Sequence, residues 1–509
     1  MRVRGRELTK DMLIDCDAVV IGTGAGGSIA VRELAKAGLR AVALEEGGHH
    51  TSADFDQRED DMLPMLFQDG GGRTTHDYAI RILQGRGVGG STVHNTNLCK
   101  RAPDAILDLW RDRHHVAGAG PNEMRARFEQ IEHELSVAEI PPAFVNKNND
   151  VLRTGVSALG WRGGILKHNR VGCRLSGFCE LGCAYDAKQN ALKVVLPQAE
   201  SAGATIVSDA EVVRITVEDG HVTGVVGVAR SASGDPVAWI TVRARIVVLA
   251  GSAVGSAVLA KKSNIADPYN QIGKKLRIHP GGAVAGRFDK PIAGWMGIPQ
   301  SYECTELLDF EEGSDKRVWI IPAFAHPIGT AAMLPGFGAD HMRAMRTYPN
   351  LAVLTAMVHD ETSGTVEADD EGRPRIKYPM SEGDRQQLAK GLVACARILF
   401  AAGASEVTIP AVPPVRLSSA KELDGLDTSF VRPHGVPLTA VHPMGTMRMG
   451  DDPRTSVVKS TGEHHQIAGL FVSDGSLFPT SLGGPPQISI YAFALHVAPH
   501  VIAYAKSHA

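Results

Sequence analysis

The pattern of apolar and polar positions divides the N-terminal part of the chain into a strand, a helix and a second strand. Residues 17–21 (DAVVI) form a short run rich in β-branched side chains, which is typical of a buried strand. Residues 28–38 (SIAVRELAKAG) repeat apolar side chains at three- and four-residue spacing, as one face of a helix does. Residues 39–48 (LRAVALEEGG) predict a second buried strand that ends in Glu45 and Glu46. This order is typical of a parallel sheet with helical connections.

Other patterns predict strands further along the chain. Residues 210–228 (AEVVRITVEDGHVTGVVGV) alternate on both sides of Asp219-Gly220, which predicts a β-hairpin. Residues 245–265 read as a buried strand, a glycine turn and a helix, and 351–359 (LAVLTAMVH) is a short alternating run in the middle of the chain.

Composition and charge exclude several kinds of partner. The 509 residues include 53 Lys and Arg against 56 Asp and Glu, so the near-neutral charge argues against a nucleic-acid surface. No run of about 18 apolar residues occurs, and the N-terminus lacks the apolar core of a secretory signal. We therefore expect no transmembrane segment and a cytoplasmic location. The seven cysteines, an odd number, do not indicate a disulfide framework.

A glycine motif of the form GxGxxG joins the first strand to the helix. Gly22 would make the turn, Gly24 would let the backbone approach a pyrophosphate, and Gly27 would permit close helix packing. The start of the helix would then face the phosphates. Glu45, at the end of the next strand, would accept hydrogen bonds from ribose hydroxyls. The motif predicts a dinucleotide site without saying which dinucleotide binds.

A second glycine-rich segment, residues 83–97 (LQGRGVGGSTVHNTN), has no strand–turn–helix pattern around it, so a second such unit is not expected. Together with residues 42–48 (VALEEGG), it resembles the glucose–methanol–choline (GMC) family of flavin oxidoreductases. In that family the segment wraps the pyrophosphate and the isoalloxazine ring of FAD. The resemblance implies FAD contacts at Arg86, Gly89, Gly90, Ser91 and Asn95.

His94 stands where some members of the family attach FAD covalently through a histidine. Other members hold a non-bonded residue there, and an unlinked histidine also occurs. The resemblance leaves both a covalent and a non-covalent FAD open.

The resemblance extends from residue 17 to about residue 502. It implies that Val212 lies against the adenine, that Asp474 and Gly475 lie at the flavin, and that Pro486 opens a helix aimed at the ring. Residues 272–280 (IGKKLRIHP) match a further family segment. The implied fold class is α/β, with a Rossmann-like FAD-binding domain that carries a β-meander. This domain would be interleaved with an α+β substrate domain built on an antiparallel sheet.

The two domains are predicted in separate pieces of the chain. We assign 12-100, 200-290 and 435-509 to the FAD-binding domain. We assign 101-199 and 291-434 to the substrate-binding or cap domain.

Cys173, Cys179 and Cys183 follow a C-x5-C-x3-C spacing, and three thiolates could hold an iron–sulfur cluster. The spacing resembles that of bacterial FAD-dependent glucose and sugar-acid dehydrogenases, which carry a three-iron, 3Fe-4S cluster. The neighbouring residues equally resemble cholesterol oxidases and long-chain alcohol oxidases, which are not generally regarded as cluster proteins. Ser176 stands where the sterol relatives usually show a further cysteine. A cluster and a buried cysteine-lined turn both remain open.

Residues 441–450 (VHPMGTMRMG) match the family segment HPxGTxRMG, which implies that His442 is the active-site base facing flavin N5. An imidazole, with an ordinary pKa of about 6.5, is suited to take the proton of an alcohol while the carbon gives hydride to N5. We therefore expect an FAD-dependent enzyme that oxidises a CH–OH group to a carbonyl.

One position departs from the family pattern. Pro485 occupies the place of the second active-site residue, an Asn or His, and has no side-chain donor or acceptor. We expect Gln487, or another side chain from the substrate domain, to replace it. Pro485 and Pro486 are suited to opening a helix whose positive end faces the flavin.

The substrate and the rival functions are less defined. The cysteine region favours a sterol or another hydrophobic alcohol, whereas the cluster spacing favours a sugar. The electron acceptor is O2 or a carrier. A nicotinamide-dependent dehydrogenase would leave 83–97 and 469–490 unexplained. A repurposed flavoprotein, or a dehydrogenase subunit that passes electrons through an iron–sulfur cluster, is the remaining alternative, with Pro485 as the argument for the repurposed flavoprotein.

Overall fold

A computed structural model describes residues 1–311, 313–324 and 326–508 of the chain. Glu312, Ala325 and Ala509, which belong to the ranges assigned above to the two domains, lie outside the described residues.

The strand–helix–strand unit predicted at the N-terminus lies at the centre of a six-stranded parallel sheet. Ala18–Ile21 and Ala41–Leu44 pair in parallel, with Ala18 opposite Ala41, and Ala25–Lys36 is the connecting helix. Both strands are buried throughout, as expected for a parallel sheet covered on its two faces. The strand order is Arg2–Arg4, Thr205–Ser208, Ala41–Leu44, Ala18–Ile21, Ile246–Leu249 and Leu470–Val472.

The predicted hairpin is confirmed. Ala210–Glu218 and His221–Arg230 pair antiparallel around Asp219 and Gly220. Both turn residues have positive φ, 47° and 77°, because a two-residue turn of this kind matches the twist of the strands it joins. Pro236–Arg243 extends this meander. The edge strand Met12–Asp15 pairs with it in parallel.

A nine-stranded, mostly antiparallel sheet forms the second layer system. The helix Glu382–Ala401 packs on it, and together they enclose a second apolar core. The main path is Val415–Leu417, Glu406–Ile409, Gly281–Arg287, Leu351–Val358, Val318–Pro322, Tyr302–Cys304 and Gly163–Ile165, with Leu438–Ala440 and Ile80–Ile82 attached at the side.

Sheet membership does not follow the predicted domain limits. Ile80–Ile82, Gly281–Arg287 and Leu438–Ala440 belong to the nine-stranded sheet, although all three fall in ranges assigned to the FAD-binding domain. The strand Arg2–Arg4 joins the parallel sheet from ahead of residue 12. The limits themselves stay a prediction, since strands of one sheet come from both sets of ranges.

The other strands form two small sheets, and helices connect the sheets. The small sheets consist of Lys274–Leu276, Gly364–Ala368 and Pro374–Lys377, and of Val137–Glu139 and Lys167–Asn169. The remaining α-helices are Glu59–Leu66, Asp104–Arg113, Pro121–Glu134, Lys147–Ala158, Leu196–Ser201, Ser252–Lys262, Pro327–Met333, Ala339–Arg346 and Gln487–Ser507.

The C-terminal helix Gln487–Ser507 begins directly after Pro486, as the two prolines predict. Its most apolar stretch has a mean hydropathy of 1.5, so by length and composition this helix could cross a membrane, which the sequence analysis did not expect. However, 67% of that stretch is buried inside the molecule, against the helices Ala25–Lys36 and Pro121–Glu134. A core helix of a soluble protein has the same composition, so the evidence for a membrane span is weak.

Candidate active site

A cavity of about 1090 Å³ is lined by residues of both large sheets. Gly27, Arg86 and Gly89 lie outside its wall. The remaining predicted catalytic and cofactor-binding residues line the cavity. They are Gly22, Gly24, Glu45, Gly90, Ser91, His94, Asn95, Val212, His442, Asp474, Gly475, Pro486 and Gln487.

Each of the three glycines of the GxGxxG motif is required for a different steric reason. Gly22 has a φ of +96°, and a Cβ there would lie 2.5 Å from the carbonyl oxygen of Ala250. A Cβ on Gly27 would lie 2.0 Å from the carbonyl oxygen of Gly22, so this glycine permits close packing without touching the cavity. A Cβ on Gly24 would meet only the Cα of Gly90, at 4.0 Å, and no side chain of the described residues caps the helix that starts after it. The backbone N–H groups of that helix end are therefore free for an anionic group.

Glu45 connects the two glycine-rich segments. Its Oε2 accepts hydrogen bonds from the amide (3.0 Å) and the hydroxyl (2.8 Å) of Thr23. Its Oε1 accepts from the amides of Gly47 (3.1 Å) and Gly87 (3.2 Å). Burial and the neighbouring Glu46 raise the pKa of the Glu45 carboxyl to about 7 against these hydrogen bonds. The hydrogen bond from Glu45 to ribose hydroxyls stays a prediction. Each carboxylate oxygen of Glu45 already accepts two hydrogen bonds from the protein.

The second glycine-rich segment lies directly against the GxGxxG motif. The amide of Gly89 donates to the hydroxyl of Thr23 at 3.1 Å, so Gly89 positions the loop from outside the cavity wall. Gly90 has a φ of +54°, and a Cβ there would lie 2.9 Å from the Cα of Gly24. The backbones of Gly24 and Gly90 therefore lie against each other at the cavity wall, and a side chain on Gly90 would push them apart. Arg86 is half-buried and away from the wall.

His94 is buried at the cavity wall with an unpaired nitrogen. Its Nε2 has no hydrogen-bond partner among the described residues. Burial and the nearby Lys188 lower the pKa of His94 to about 3, so the ring is neutral at pH 7. An orphaned buried polar atom is rare in native proteins and indicates a missing partner. The residues around this wall therefore fit a bound flavin.

Asp474 and Val212 border the same cavity on the side of the helix Ser252–Lys262. Oδ2 of Asp474 accepts from the Ser256 hydroxyl at 2.6 Å, and Oδ1 accepts from the Ser476 amide at 2.8 Å. Burial raises the pKa of the Asp474 carboxyl. These bonds hold Asp474 rigidly at the wall where the sequence predicted it.

His442 lines the cavity and contacts a second histidine. Its Nδ1 lies 3.1 Å from Nδ1 of His279. His442 is half-buried, and burial lowers its pKa to about 3, so the ring is neutral at pH 7. His279 is fully buried, and its other nitrogen, Nε2, accepts from the amides of Leu482 (3.2 Å) and Gly483 (3.0 Å).

The backbone of His279 is held in an uncommon conformation. Its φ is 51°, in the left-handed region, which costs about 1–3 kcal/mol for a residue other than glycine. The carboxylate of Asp360 accepts hydrogen bonds from the amides of Ile278 (2.9 Å) and His279 (3.2 Å), and Tyr378 donates to the same group at 2.6 Å. This network fixes the direction in which the His279 ring points.

Gln487 does not supply the partner that Pro485 lacks. Its Nε2 donates to the carbonyl of Leu98 at 2.6 Å, and its Oε1 accepts from Nδ2 of Asn95 at 2.8 Å. Both ends of the amide are therefore occupied by the chain. The hydrogen-bond partner of His442 is His279, which the sequence analysis did not name. The segment 272–280 pointed to this region, but nothing in its pattern indicates that positions 279 and 442 meet.

The three clustered cysteines do not form a ligand set. All seven cysteines are free thiols. Cys173, Cys179 and Cys183 border a small cavity of about 20 Å³, and in the described part of the chain no group of three His, Cys, Asp or Glu side chains is arranged to hold a metal. Burial raises the pKa of the Cys179 thiol to about 12, so this thiol is neutral at pH 7 in the metal-free protein. The residues do not fit the 3Fe-4S cluster that the spacing suggested.

Comparison with known proteins identifies the family. Two sequence profiles described as GMC oxidoreductase match residues 63–281 and 360–494. An uncharacterized GMC-type oxidoreductase of Mycobacterium tuberculosis is 35% identical over 492 residues, which is 96% of this chain and 76% of the relative. The chain belongs to the GMC oxidoreductase family.

Further relatives and solved structures agree with this assignment. A long-chain-alcohol oxidase of Arabidopsis thaliana is 28% identical over 96% of this chain and 68% of its own length. The crystal structure of pyridoxine 4-oxidase from Mesorbium loti has a TM-score of 0.70 at 18% identity, covering 95% of this chain and 99% of that chain. A formate oxidase has a TM-score of 0.70 at 15% identity, covering 98% and 99%. The fold is that of a GMC flavoprotein, so the nicotinamide-dependent alternative no longer applies.

Proposed function

We propose that this protein is an FAD-dependent enzyme that oxidises the CH–OH group of a hydrophobic alcohol to a carbonyl. The observation that carries the proposal is that one cavity is lined both by Gly24 and Gly90, at the uncapped start of the helix Ala25–Lys36, and by the neutral imidazole of His442. A dinucleotide cradle and a side chain suited to meet a hydroxyl group thus share one space.

The dinucleotide half of the cavity fits FAD. Gly24 and Gly90 would let a pyrophosphate approach the uncapped helix end, and Ser91, Val212 and Asp474 would border the rest of the cofactor. Bound FAD would supply the two-electron oxidation by accepting hydride at N5. The unpaired Nε2 of His94 is the atom that supports a covalent link, and flavin that stays with acid-precipitated protein would establish it.

The substrate half of the cavity favours a hydrophobic alcohol over a sugar. The hydroxyls of a sugar would lose their hydrogen bonds with water in an apolar site, at a cost that few protein partners here could offset. Two polar side chains in this half, Thr96 and Gln300, already bond to each other at 2.6 Å. The similarity to long-chain-alcohol oxidases supports the same choice. The apolar side chains are Leu98, Trp319, Ile321, Phe324, Met333, Leu334, Val353 and Met357.

His442 is the side chain proposed to meet the alcohol oxygen. It lines the cavity, is neutral at pH 7 and uses only Nδ1 for its bond within the described chain, which leaves Nε2 for the substrate. The family resemblance implies that His442 is a general base. Its contact with His279 affects that role, because it influences which ring nitrogen of His442 carries the hydrogen. The acceptor, O2 or another carrier, and the cytoplasmic location stay predictions.

The proposal is tested by anaerobic reduction of the bound flavin. The panel contains aliphatic alcohols of increasing chain length, a sterol, an aryl alcohol and sugars. We expect bleaching by hydrophobic alcohols, with reduction faster for longer chains until the cavity is filled, and peroxide in air if O2 is the acceptor. The variant His442→Ala, which should still bind FAD, is the control for slow reduction. Bleaching by sugars alone, or by no alcohol, would contradict the proposal.

A further inference from the structure

The contact between His279 and His442 joins two nitrogens of the same type. Nδ1 faces Nδ1 at 3.1 Å, so one of them must carry the hydrogen and the other must accept it. In a neutral imidazole only one nitrogen is protonated, and the partner of the other nitrogen decides which one.

The hydrogen-bond partners of His279 decide which of the two histidines donates the hydrogen bond between the Nδ1 atoms. Its Nε2 faces two donors, the amides of Leu482 and Gly483, so that nitrogen must be the acceptor and carries no hydrogen. Neutral His279 therefore carries its hydrogen on Nδ1 and donates it to Nδ1 of His442. The reverse arrangement would turn an N–H toward two N–H groups and leave buried donors unpaired, at about 1–3 kcal/mol each.

The other charged or titratable groups near His279 do not change this assignment. The ring of His359 is 6.4 Å away, centroid to centroid, and burial lowers its pKa to about 4, so it is neutral at pH 7. Asp360 is occupied by backbone amides, and the guanidinium of Arg277 donates to the carbonyl of Thr362. Among the described residues, none of these groups offers Nε2 of His279 an acceptor.

We propose that His279 is a positioning residue that holds His442 in the tautomer with its hydrogen on Nε2, so that His442 presents a donor to the cavity. This replaces the general-base role that the family resemblance implied. The tautomer assignment is independent of the substrate, whereas its catalytic consequence rests on the proposed function.

The consequence concerns the charge on the alcohol oxygen. Nε2–H of His442 donates to that oxygen and stabilises the negative charge that develops as the hydroxyl proton leaves. With FAD bound, the C–H electron pair would leave as hydride to the flavin, the hydroxyl proton would pass to water, and the alcohol carbon would become the carbonyl. His442 starts and ends this sequence with the same hydrogen on Nε2.

The tautomer is read directly in the resting holoenzyme. Neutron diffraction, or 15N NMR of histidine-labelled protein with His442→Gln to assign the signals, shows which nitrogens carry hydrogen. We expect Nδ1 of His442 to be unprotonated and its Nε2 to be protonated. Hydrogen on Nδ1 of His442 would overturn the proposal.

Two substitutions of the same size test the role of His279. His279→Asn keeps an N–H donor for Nδ1 of His442, whereas His279→Asp offers only acceptors and should move the hydrogen of His442 onto Nδ1. We expect the Asn variant to keep the wild-type nitrogen signals of His442 and the Asp variant to invert them. If the Asp variant does not fold, the spectra of the wild type and the Asn variant still decide.

Kinetics separate a donor from a base. His442→Gln keeps an amide N–H near Nε2 but cannot act as a base, and His442→Ala removes both. We expect kcat/KM of the His442→Gln variant to stay within about 10-fold of the wild type. We expect kcat/KM of the His442→Ala variant to fall by about 10²-fold or more. If His442 is a base, both variants lose the same factor, about 10²–10⁴-fold. If no alcohol reduces the flavin, the proposed function fails while the tautomer measurement stands.

Discussion

Nδ2 of Asn95 donates a hydrogen bond to Oε1 of Gln487 at 2.8 Å, although 392 residues separate them in the chain. The same amide of Gln487 donates to the carbonyl of Leu98 at 2.6 Å. Gln487 is the first residue of the C-terminal helix, and Asn95 lies in the second glycine-rich segment, residues 83–97. This one side chain therefore ties the end of the chain to the wall of the cofactor cavity.

Replacing Gln487 tests this connection. Gln487→Ala leaves the amide of Asn95 and the carbonyl of Leu98 without a partner, so we expect a loss of about 1–3 kcal/mol in the free energy of unfolding. Urea denaturation monitored by circular dichroism measures it. Gln386→Ala, at an exposed position of the helix Glu382–Ala401, is the control and should change stability by less than about 0.5 kcal/mol. Equal losses in the two variants would show that the hydrogen bonds contribute nothing.

The close contact between the backbones of Gly24 and Gly90 makes a prediction about flavin content. A methyl group on Gly90 would lie 2.9 Å from the Cα of Gly24, so Gly90→Ala should weaken FAD binding by about 10- to 100-fold through overpacking. Flavin absorbance per purified protein measures the effect. Gly203→Ala is the matched control, because Gly203 also has a positive φ, +98°, but nothing within 4 Å of an added Cβ. If both variants purify with full flavin, the contact between Gly24 and Gly90 does not shape the cofactor site.

The sequence predicted those parts of the fold that depend on local patterns. The strand–helix–strand unit and the hairpin at Asp219 and Gly220 form as expected, because periodicity and turn residues act over a few positions. The sequence did not predict that Gly281–Arg287 and Leu438–Ala440 share the nine-stranded sheet, because strand pairing depends on long-range contacts that no local pattern encodes.

The same distinction between local patterns and long-range contacts applies to the candidate site. Gly22, Gly24, Gly90 and His442 were found from motifs, and they line one cavity. The partner of His442 was not found, since the contact with His279 spans 163 residues and depends on how Asp360 orients a backbone. Gln487 was predicted as the partner from its nearness in sequence to Pro485, but its polar atoms bond to Asn95 and Leu98 instead.

The buried carboxyl of Glu45 predicts a pH dependence of stability. Its pKa is raised to about 7, above its value in the unfolded chain, so the folded state binds more protons between about pH 4.5 and pH 7. Buried histidines such as His94 and His359, whose pKa is lowered to about 3 and about 4, make stability rise with pH below about 6.5. The contribution of Glu45 has the opposite sign and falls as the pH rises through this window, by up to about 3 kcal/mol. Glu45→Gln should remove this slope in urea denaturation at a series of pH values. Glu139→Gln, at an exposed position, should keep it. A difference between the unfolding free energies of the wild type and Glu45→Gln that rises with pH through this window would contradict the prediction.

The rate of flavin reduction by an alcohol should not depend on the ionisation of His442 near neutral pH. Burial lowers the pKa of His442 to about 3, so the ring is neutral over the range from about pH 5 to pH 8. Even the protonated ring would keep Nε2–H, because protonation adds its hydrogen at Nδ1. The neighbouring rings do not titrate in this range either, since burial also lowers the pKa of His279 well below its ordinary value and that of His359 to about 4. Anaerobic stopped-flow measurements should give a flat profile, with His442→Gln, which has no titrating ring, giving the same shape at a lower rate. An acid limb near pH 6.5 that disappears in His442→Gln would identify His442 as a base and contradict the donor assignment.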